Sequence, residues 1–497
     1  MFFDPSTLGW ISIAISTLFT LFPYFTSNLL NTTLPKPTGK YIVGSFLTRS
    51  NIGNKSLIRY FYPTSKVGNG GGSSDSIPEN GKWLPSFIYY KGYARFLGFA
   101  DNSFLLYIMR SLIYVCGRWI DQKEENLHIY HDDDDDRKYP VLIFSHGMGG
   151  SQSMYSIICT EMASRGFIVI VPEHTDGSAS CTIDSNGKTI FAEFESDQKF
   201  LLERRDILGT DDRDAIRNDK ASREYMINWR NKQSQIRVED VFQALSFTCE
   251  HEILKQYIDK NNVNIMGHSF GGTSVLGAIA RTGGVTMYKN DTIIHRFNSA
   301  IVLDGWMWPI VGDDENSYFI DETFGGNDEE RNNSLVKQNT PILFIDAHTF
   351  IDNLVWYSTK IEIAQRYKTH HGENNSDVML LNLKHSAHFT FSDVLVLGGK
   401  AYPILNQYRS RPQTLKKKVN DEEEEKEEGI PTQEELLFSI MNLSYDFMQQ
   451  YHNGGGGGGG GSDTLLMVGD DDTWRSNINY KLYKVISDSR QGGSGKL

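Results

Sequence analysis

From Tyr139 onward the chain alternates short, nearly continuous apolar runs with longer amphipathic stretches, and this alternation constrains its fold more than any other feature. The runs are VLIFSHG (141–147), GFIVIVPEH (166–174), NVNIMGHS (262–269), AIVLDGW (300–306), PILFIDA (341–347) and VMLLNLKH (378–385). Strands so rich in Val, Ile and Leu must be covered on both faces, which is the condition of a parallel sheet with crossover helices. The intervening stretches have helical period: SMYSIICTEMASRG, IRVEDVFQALSFTCE and GTSVLGAIARTG. The expected class is α/β, with a mostly parallel sheet and helices on both faces. YIVGSFLTR and LIRYFYP read as earlier, antiparallel strands, 104–116 as a core helix, and QEELLFSIMNLSYDFMQQY (433–451) as the last element packing back on the sheet. The polar stretch 186–232 is expected to lie over the carboxyl ends of the strands.

Charge separates the body from its insertions. Formal net charge is −13, but Asp132–Asp136 and the run DEEEEKEE at 421–428 hold most of it; without them 48 basic residues face 50 acidic ones. The body therefore has no basic face for nucleic acid or anionic lipid. Such runs, like the eight glycines Gly454–Gly461, bury too little apolar surface to offset their ordering entropy. The expected organisation is an apolar N-terminal segment (1–33), a catalytic-type domain (34–452) interrupted at 68–76, 132–136 and 416–428, and a Gly-rich linker with a tail (453–497). Leu8–Phe22 is uncharged yet lacks a basic flank. It reads equally as a signal or anchor and as an interfacial helix, so secretion, membrane association and a cytosolic location all stay open. The four cysteines, Cys116, Cys159, Cys181 and Cys249, are too scattered for a disulfide framework or a zinc site and are expected to be indifferent thiols.

The chemistry gathers around Gly267-His-Ser-Phe-Gly271. Chance would supply about 0.3 such patterns in a chain this glycine-rich, so the pentapeptide alone means little. Its setting means more: Ser269 ends an apolar run and opens a helix, as a nucleophile elbow requires, with Gly267 and Gly271 where the reversal crowds the backbone. FSHGMGG (144–150) ends the first run, and its Met148 N–H would join that of Phe270 in an oxyanion hole. The base should follow the last strand: His388 fits, and His385 competes. His268 is expected to point away, and His174 to be structural or pocket-lining. Two aspartates end strands after the elbow, Asp304 and Asp346, and spacing leaves the choice of acid open. The acidic runs lack the alternating ligands and glycine of a calcium loop, so neither metal nor cofactor is expected.

Taken together, YPVLIFSHGMGGSQSMYS, MASRGFIVIVPEHTDGSAS, GHSFGG, LDGWMWP and HSAHFTFSD, with LPKPTGKYIVGS and WLPSFIYYKGYARFLG before them, resemble the platelet-activating factor acetylhydrolase family of the plasma and type II kind across most of residues 34–450. The resemblance implies an α/β-hydrolase fold with Ser269 as nucleophile, Asp304 as acid, His388 as base and Met148 and Phe270 as oxyanion donors. It also implies calcium-independent release of a short or oxidised sn-2 acyl group from a phosphocholine lipid, at a membrane or lipoprotein surface. Polar insertions stretch the intervals between these motifs. Phe2 replaces the glycine that an N-terminal myristoylation signal needs. A general carboxylesterase, a neutral-lipid lipase and a non-catalytic lipid-binding protein are the alternatives. Oligomeric state is left open. Trp306, Met307 and Trp308 are expected at the pocket floor near the acid, with structural burial an equal reading for any one of them.

Overall fold

The computed structural model describes residues 33–65, 81–96, 116–131, 138–192, 195–211, 216, 219–282, 297–307, 340–348, 360, 378–383, 385–401, 431–451 and 480–482. Expectations about segment 8–22, the 68–76 loop, the 104–115 stretch, the acidic and glycine runs, and Trp308 fall outside these residues. Among the described residues no helix is long and apolar enough to cross a membrane.

A ten-stranded sheet organises the molecule. In chain order its strands are β1 (Ile42–Arg49), β2 (Leu57–Thr64), β3 (Ile120–Asp121), β4 (Tyr139–Ser145), β5 (Ile168–Pro172), β6 (Ile258–His268), β7 (Ser299–Leu303), β8 (Ile342–Ala347), β9 (Val378–Leu383) and β10 (Tyr480–Leu482). Across the sheet they run β10-β9-β8-β7-β6-β4-β5-β2-β1-β3. The six strands from β5 to β9 are parallel. β2 joins β5 antiparallel, β1 joins β2 antiparallel, and β10 closes the far edge antiparallel to β9. This is the α/β-hydrolase fold.

The apolar runs form strands because alternate side chains serve different cores. In β4, Val141 and Ile143 face one core while Leu142 and Phe144 face the other; in β8, Ile342 and Phe344 oppose Leu343 and Ile345. Each is fully buried, at about 1.5–3 kcal/mol of transfer free energy per large aliphatic or aromatic side chain. Helix α1 (Phe87–Phe96) packs its tyrosines on the Leu142 and Phe144 side, a core that α2 (Ser156–Ser164) also covers. Beyond α3 (Glu195–Leu208), α4 (Lys220–Glu250) and α5 (Phe270–Thr282) cover the other face. The last helices, α6 (Asp393–Ala401) and α7 (Gln433–Gln450), return to the α2 side, and α7 starts at a capping box between Thr432 and Glu435.

One reading gains detail and one changes. The polar stretch 186–232 is largely helical: it forms α3 and the first turns of the 31-residue α4. Arg230 lies buried on α4, Gln233 reaches the Asp176 carbonyl, and Arg237 reaches the loops at the strand ends. The helix at 433–451 is also not the final element, since Tyr480–Leu482 adds the edge strand β10. Cys159, Cys181 and Cys249 are free and buried, as indifferent thiols would be.

Strand order reverses at β4. The chain passes from β4 to β5 on one side, then crosses to β6 on the other. A crevice opens outside the carboxyl ends at such a reversal, and the loops after β4 and β6 face it.

Candidate active site

Ser269 sits between β6 and α5 with φ 56°, a left-handed conformation unusual for a residue with a side chain. The turn is held on both sides. Ser269 N–H donates to the Leu303 carbonyl at 2.9 Å, and the Ser269 carbonyl accepts from the amides of Gly272 and Trp306, each at 2.9 Å. Both flanking glycines are sterically required: a Cβ at Gly267 would lie 2.3 Å from the Gly271 carbonyl oxygen, and one at Gly271 would lie 2.0 Å from that of Ser145.

Asp304 follows β7 in a second left-handed turn, φ 41°, and its amide donates to the Ile345 carbonyl at 2.8 Å. Its carboxylate is almost fully buried and receives Ala347 N–H at 3.0 Å on Oδ1 and His388 Nδ1–H at 2.5 Å on Oδ2. Burial pushes this carboxyl upward, but the bond and charge of His388, helped by Lys360 and Ala347 N–H, outweigh it and hold the group below its ordinary value. His388 opens a 3₁₀ turn, His388–Phe391, and places Nε2 3.0 Å from Ser269 Oγ with its ring 40% exposed. A carboxylate accepts only, so the imidazole proton lies on Nδ1 and the Nε2 lone pair faces the serine hydroxyl. That arrangement can remove a proton from Ser269.

The rival residues lie elsewhere. Asp346 accepts an ion pair from Lys360, and burial, opposed by that lysine, pushes it up to about 6. His385 occupies an exposed left-handed position, φ 61°. His174 is structural: its Nε2 meets Ser145 Oγ at 2.8 Å and its Nδ1 meets Asp240 at 3.3 Å. This second Ser–His–Asp set is completely buried, so no ester can reach it. Met307 belongs to the core on the α5 face, with its Cε beside Gly272 and Gly305, rather than to a pocket floor. Trp306 is half-buried, its ring 5.6 Å from that of Phe270.

The glycine-rich loop after β4 abuts the elbow: a Cβ on Gly147 would lie 3.2 Å from that of Ser269. Gly147 N–H donates to Tyr155 Oη at 3.0 Å, Gly149 N–H to the Ser178 carbonyl at 2.7 Å, and Gly150 N–H to the Gly147 carbonyl at 3.1 Å. Among the described residues this leaves Met148 as the amide of the loop with no internal acceptor. On the other side, the Phe270 amide opens α5, where an N–H and the helix dipole favour developing negative charge.

Two features are not legible in the sequence. Arg237 lies in what reads as an amphipathic helix face, yet it is fully buried. It pairs with Asp176 at 2.9 Å, donates to the His146 carbonyl at 2.6 Å and stacks 4.4 Å over the Phe270 ring. His268 does not point away: its ring lies 4.6 Å from that of His388. Burial, then the charge of His388, keeps it neutral, well below its ordinary range. His268, Asp304 and His388 bring ligand-type atoms within 4.8 Å of one another. Both His388 nitrogens and both His268 nitrogens already serve hydrogen bonds.

Comparison with known proteins places this geometry in context. Residues 27–411 match the family described as platelet-activating factor acetylhydrolase, isoform II. A platelet-activating factor acetylhydrolase of Gallus gallus is 28% identical over 386 residues, covering 74% of this chain and 76% of that protein. One of Bos taurus is 30% identical over 320 residues, covering 61% and 62%. A solved structure, a ferulic acid esterase from Streptomyces cinnamoneus, superposes with a TM-score of 0.49 at 12% identity, covering 91% of this chain and 99% of that one.

Proposed function

The chain belongs to the platelet-activating factor acetylhydrolase, isoform II, family, and from that membership and the geometry at Ser269 we propose that it is a calcium-independent serine esterase releasing short or oxidised sn-2 acyl groups from phosphocholine lipids. Phospholipid ester hydrolysis is the activity the family brings. The short-acyl preference and the residue roles are our reading. Its main support is that Oγ of Ser269, Nε2 of His388 and Oδ2 of Asp304 are joined in sequence at 3.0 and 2.5 Å, with the nucleophile on a left-handed elbow.

In this mechanism Ser269 Oγ attacks the sn-2 carbonyl carbon while its proton passes to His388 Nε2. The carbonyl oxygen takes the negative charge between the amides of Met148 and Phe270, each such donor lowering the barrier by about 3 kcal/mol. Asp304 holds the imidazolium in register. The C–O bond to the glycerol then breaks, and His388 Nε2–H protonates the departing lysophospholipid alcohol. Water repeats the sequence on the acyl-enzyme: His388 takes its proton, hydroxide adds to the carbonyl, and Ser269 leaves reprotonated.

The reading is tested with purified protein in excess EDTA. A short-acyl sn-2 phosphocholine should be cleaved in preference to its long-acyl homologue, p-nitrophenyl esters and triglyceride, and Ser269→Ala should abolish turnover. Equal rates on all esters would make it a general carboxylesterase. A Ser269→Ala enzyme with full activity would remove Ser269 from the chemistry.

A further inference from the structure

One hydrogen-bonded chain runs beneath the site and touches both halves of it. Arg237 Nη1 donates to the His146 carbonyl at 2.6 Å; the other end of that peptide, Gly147 N–H, donates to Tyr155 Oη at 3.0 Å. Tyr155 Oη and His268 Nδ1 are 2.8 Å apart, and His268 Nε2 lies 2.9 Å from the backbone carbonyl of His388. The direction of each bond follows from the chemistry. A carbonyl accepts only, so His268 carries its proton on Nε2. Its Nδ1 must then accept, which makes Tyr155 the donor there and leaves the Tyr155 oxygen to receive Gly147 N–H. Burial pushes the Tyr155 hydroxyl above its ordinary value, so this proton stays in place at working pH.

We propose that Tyr155 and His268 are positioning residues that couple the oxyanion loop to the catalytic base. Through Gly147 N–H they fix the His146–Gly147 peptide, one residue before the Met148 amide, and through the His388 carbonyl they set the height of the imidazole above Ser269. The geometry favours this over a packing role alone. Phe at 155 would fill the same space beside Phe144, 4.8 Å away centroid to centroid, and Leu would fill much of the space at 268. The hydroxyl and the imidazole are needed only for the hydrogen bonds. Arg237 adds to the device: its guanidinium on the His146 carbonyl polarises that peptide, strengthening the Gly147 N–H as a donor to Tyr155. A 1 Å misplacement of groups such as these costs roughly 10²-fold in rate.

This inference rests on the reading of Ser269 and His388 above, so Ser269→Ala is measured alongside. The full-length enzyme is assayed on a soluble short-acyl phosphocholine, with rates normalised to folded protein. Tyr155→Phe and His268→Leu should each lower kcat by about 10- to 100-fold with KM within about twofold, and the double variant should be no worse than the poorer single one. His268→Gln, whose amide can still donate to the His388 carbonyl, should recover most of the loss seen with Leu; a residue that only fills space gives no such rescue. The coupling is refuted if Ser269→Ala is inactive while Tyr155→Phe turns over within twofold of wild type, or if the two single losses multiply in the double variant. If Ser269→Ala is active, the failure lies instead in the reading of the nucleophile.

Discussion

Replacing Asp304 with Asn separates the two aspartates that end neighbouring strands, and the structure says how large the effect should be. Ala347 N–H holds Oδ1 at 3.0 Å, so the amide oxygen of the asparagine stays there. Its NH₂ then turns toward His388 Nδ1, where Oδ2 now accepts at 2.5 Å. With a donor facing Nδ1, the imidazole must carry its proton on Nε2, directing N–H rather than a lone pair at Ser269 Oγ, 3.0 Å away. Enforcing that tautomer costs on the order of 10⁴ in kcat. At 1.36 kcal/mol per decade this is about 5.5 kcal/mol of barrier. Asp346→Asn is the comparator. It removes the carboxylate beside the buried Lys360 ammonium and should cost about 3–5 kcal/mol of stability, with kcat per folded molecule within about tenfold of wild type. The assay is steady-state hydrolysis of a short-acyl phosphocholine, normalised to folded protein by circular dichroism. An Asp304→Asn enzyme within tenfold of wild type, or a larger kcat loss in Asp346→Asn, would refute the assignment of Asp304 as the acid.

Three further outcomes follow from the same geometry. Gly271→Ala should lower kcat by at least about 100-fold, because its Cβ meets the Ser145 carbonyl at 2.0 Å and the elbow must move; Gly272→Ala, whose nearest contacts are 2.9 Å, should lose clearly less in the same assay. Asp393 caps α2 through Ser156 N–H and Ile157 N–H, and burial, opposed by those bonds and by Trp83, pushes its carboxyl up to about 7. The folded protein therefore keeps a proton there that the unfolded chain releases near pH 4. That contribution is complete below pH 4 and fades as pH rises to about 7, by at most about 1.4 kcal/mol per pH unit. Thermal melts of Asp393→Asn between pH 5 and 8 should show a smaller fall in Tm than wild type, and an equal or steeper fall would count against a raised carboxyl at 393. Cys159, Cys181 and Cys249 are buried, and burial pushes each thiol up, so a thiol reagent should leave all three unmodified until denaturant is added, as peptide mapping would show.

Much of the architecture is local information. A strand buried on both faces has to be apolar at successive positions, so β4 to β9 stand out as runs whatever their neighbours. The elbow is equally local: Gly267 and Gly271 are needed within one turn of chain, and the pattern that Ser269 requires sits in five consecutive residues. His388 and the FSHGMGG loop are found in the same way, by their place after a strand.

What stayed open depends on distances between segments far apart in the chain. Asp304 and Asp346 look alike because each ends a strand. The difference is that β7 bonds directly to β6, so Asp304 turns beside the elbow, while β8 lies one strand farther out, about 5 Å, with its carboxylate committed to Lys360. Arg237 has the periodicity of a solvated helix face and becomes a buried cation only because Asp176 and the His146 carbonyl are brought to it. The three residues of β10 have no signal of their own, since an edge strand needs only a neighbour's free amides and carbonyls. Residue order thus determined the layers and the glycine-flanked elbow at Ser269, where short-range sterics and hydrophobic period suffice. The tertiary structure brought Asp304, and not Asp346, to His388 and joined Tyr155 to His268, because hydrogen bonds across a sheet depend on which strand ends lie side by side.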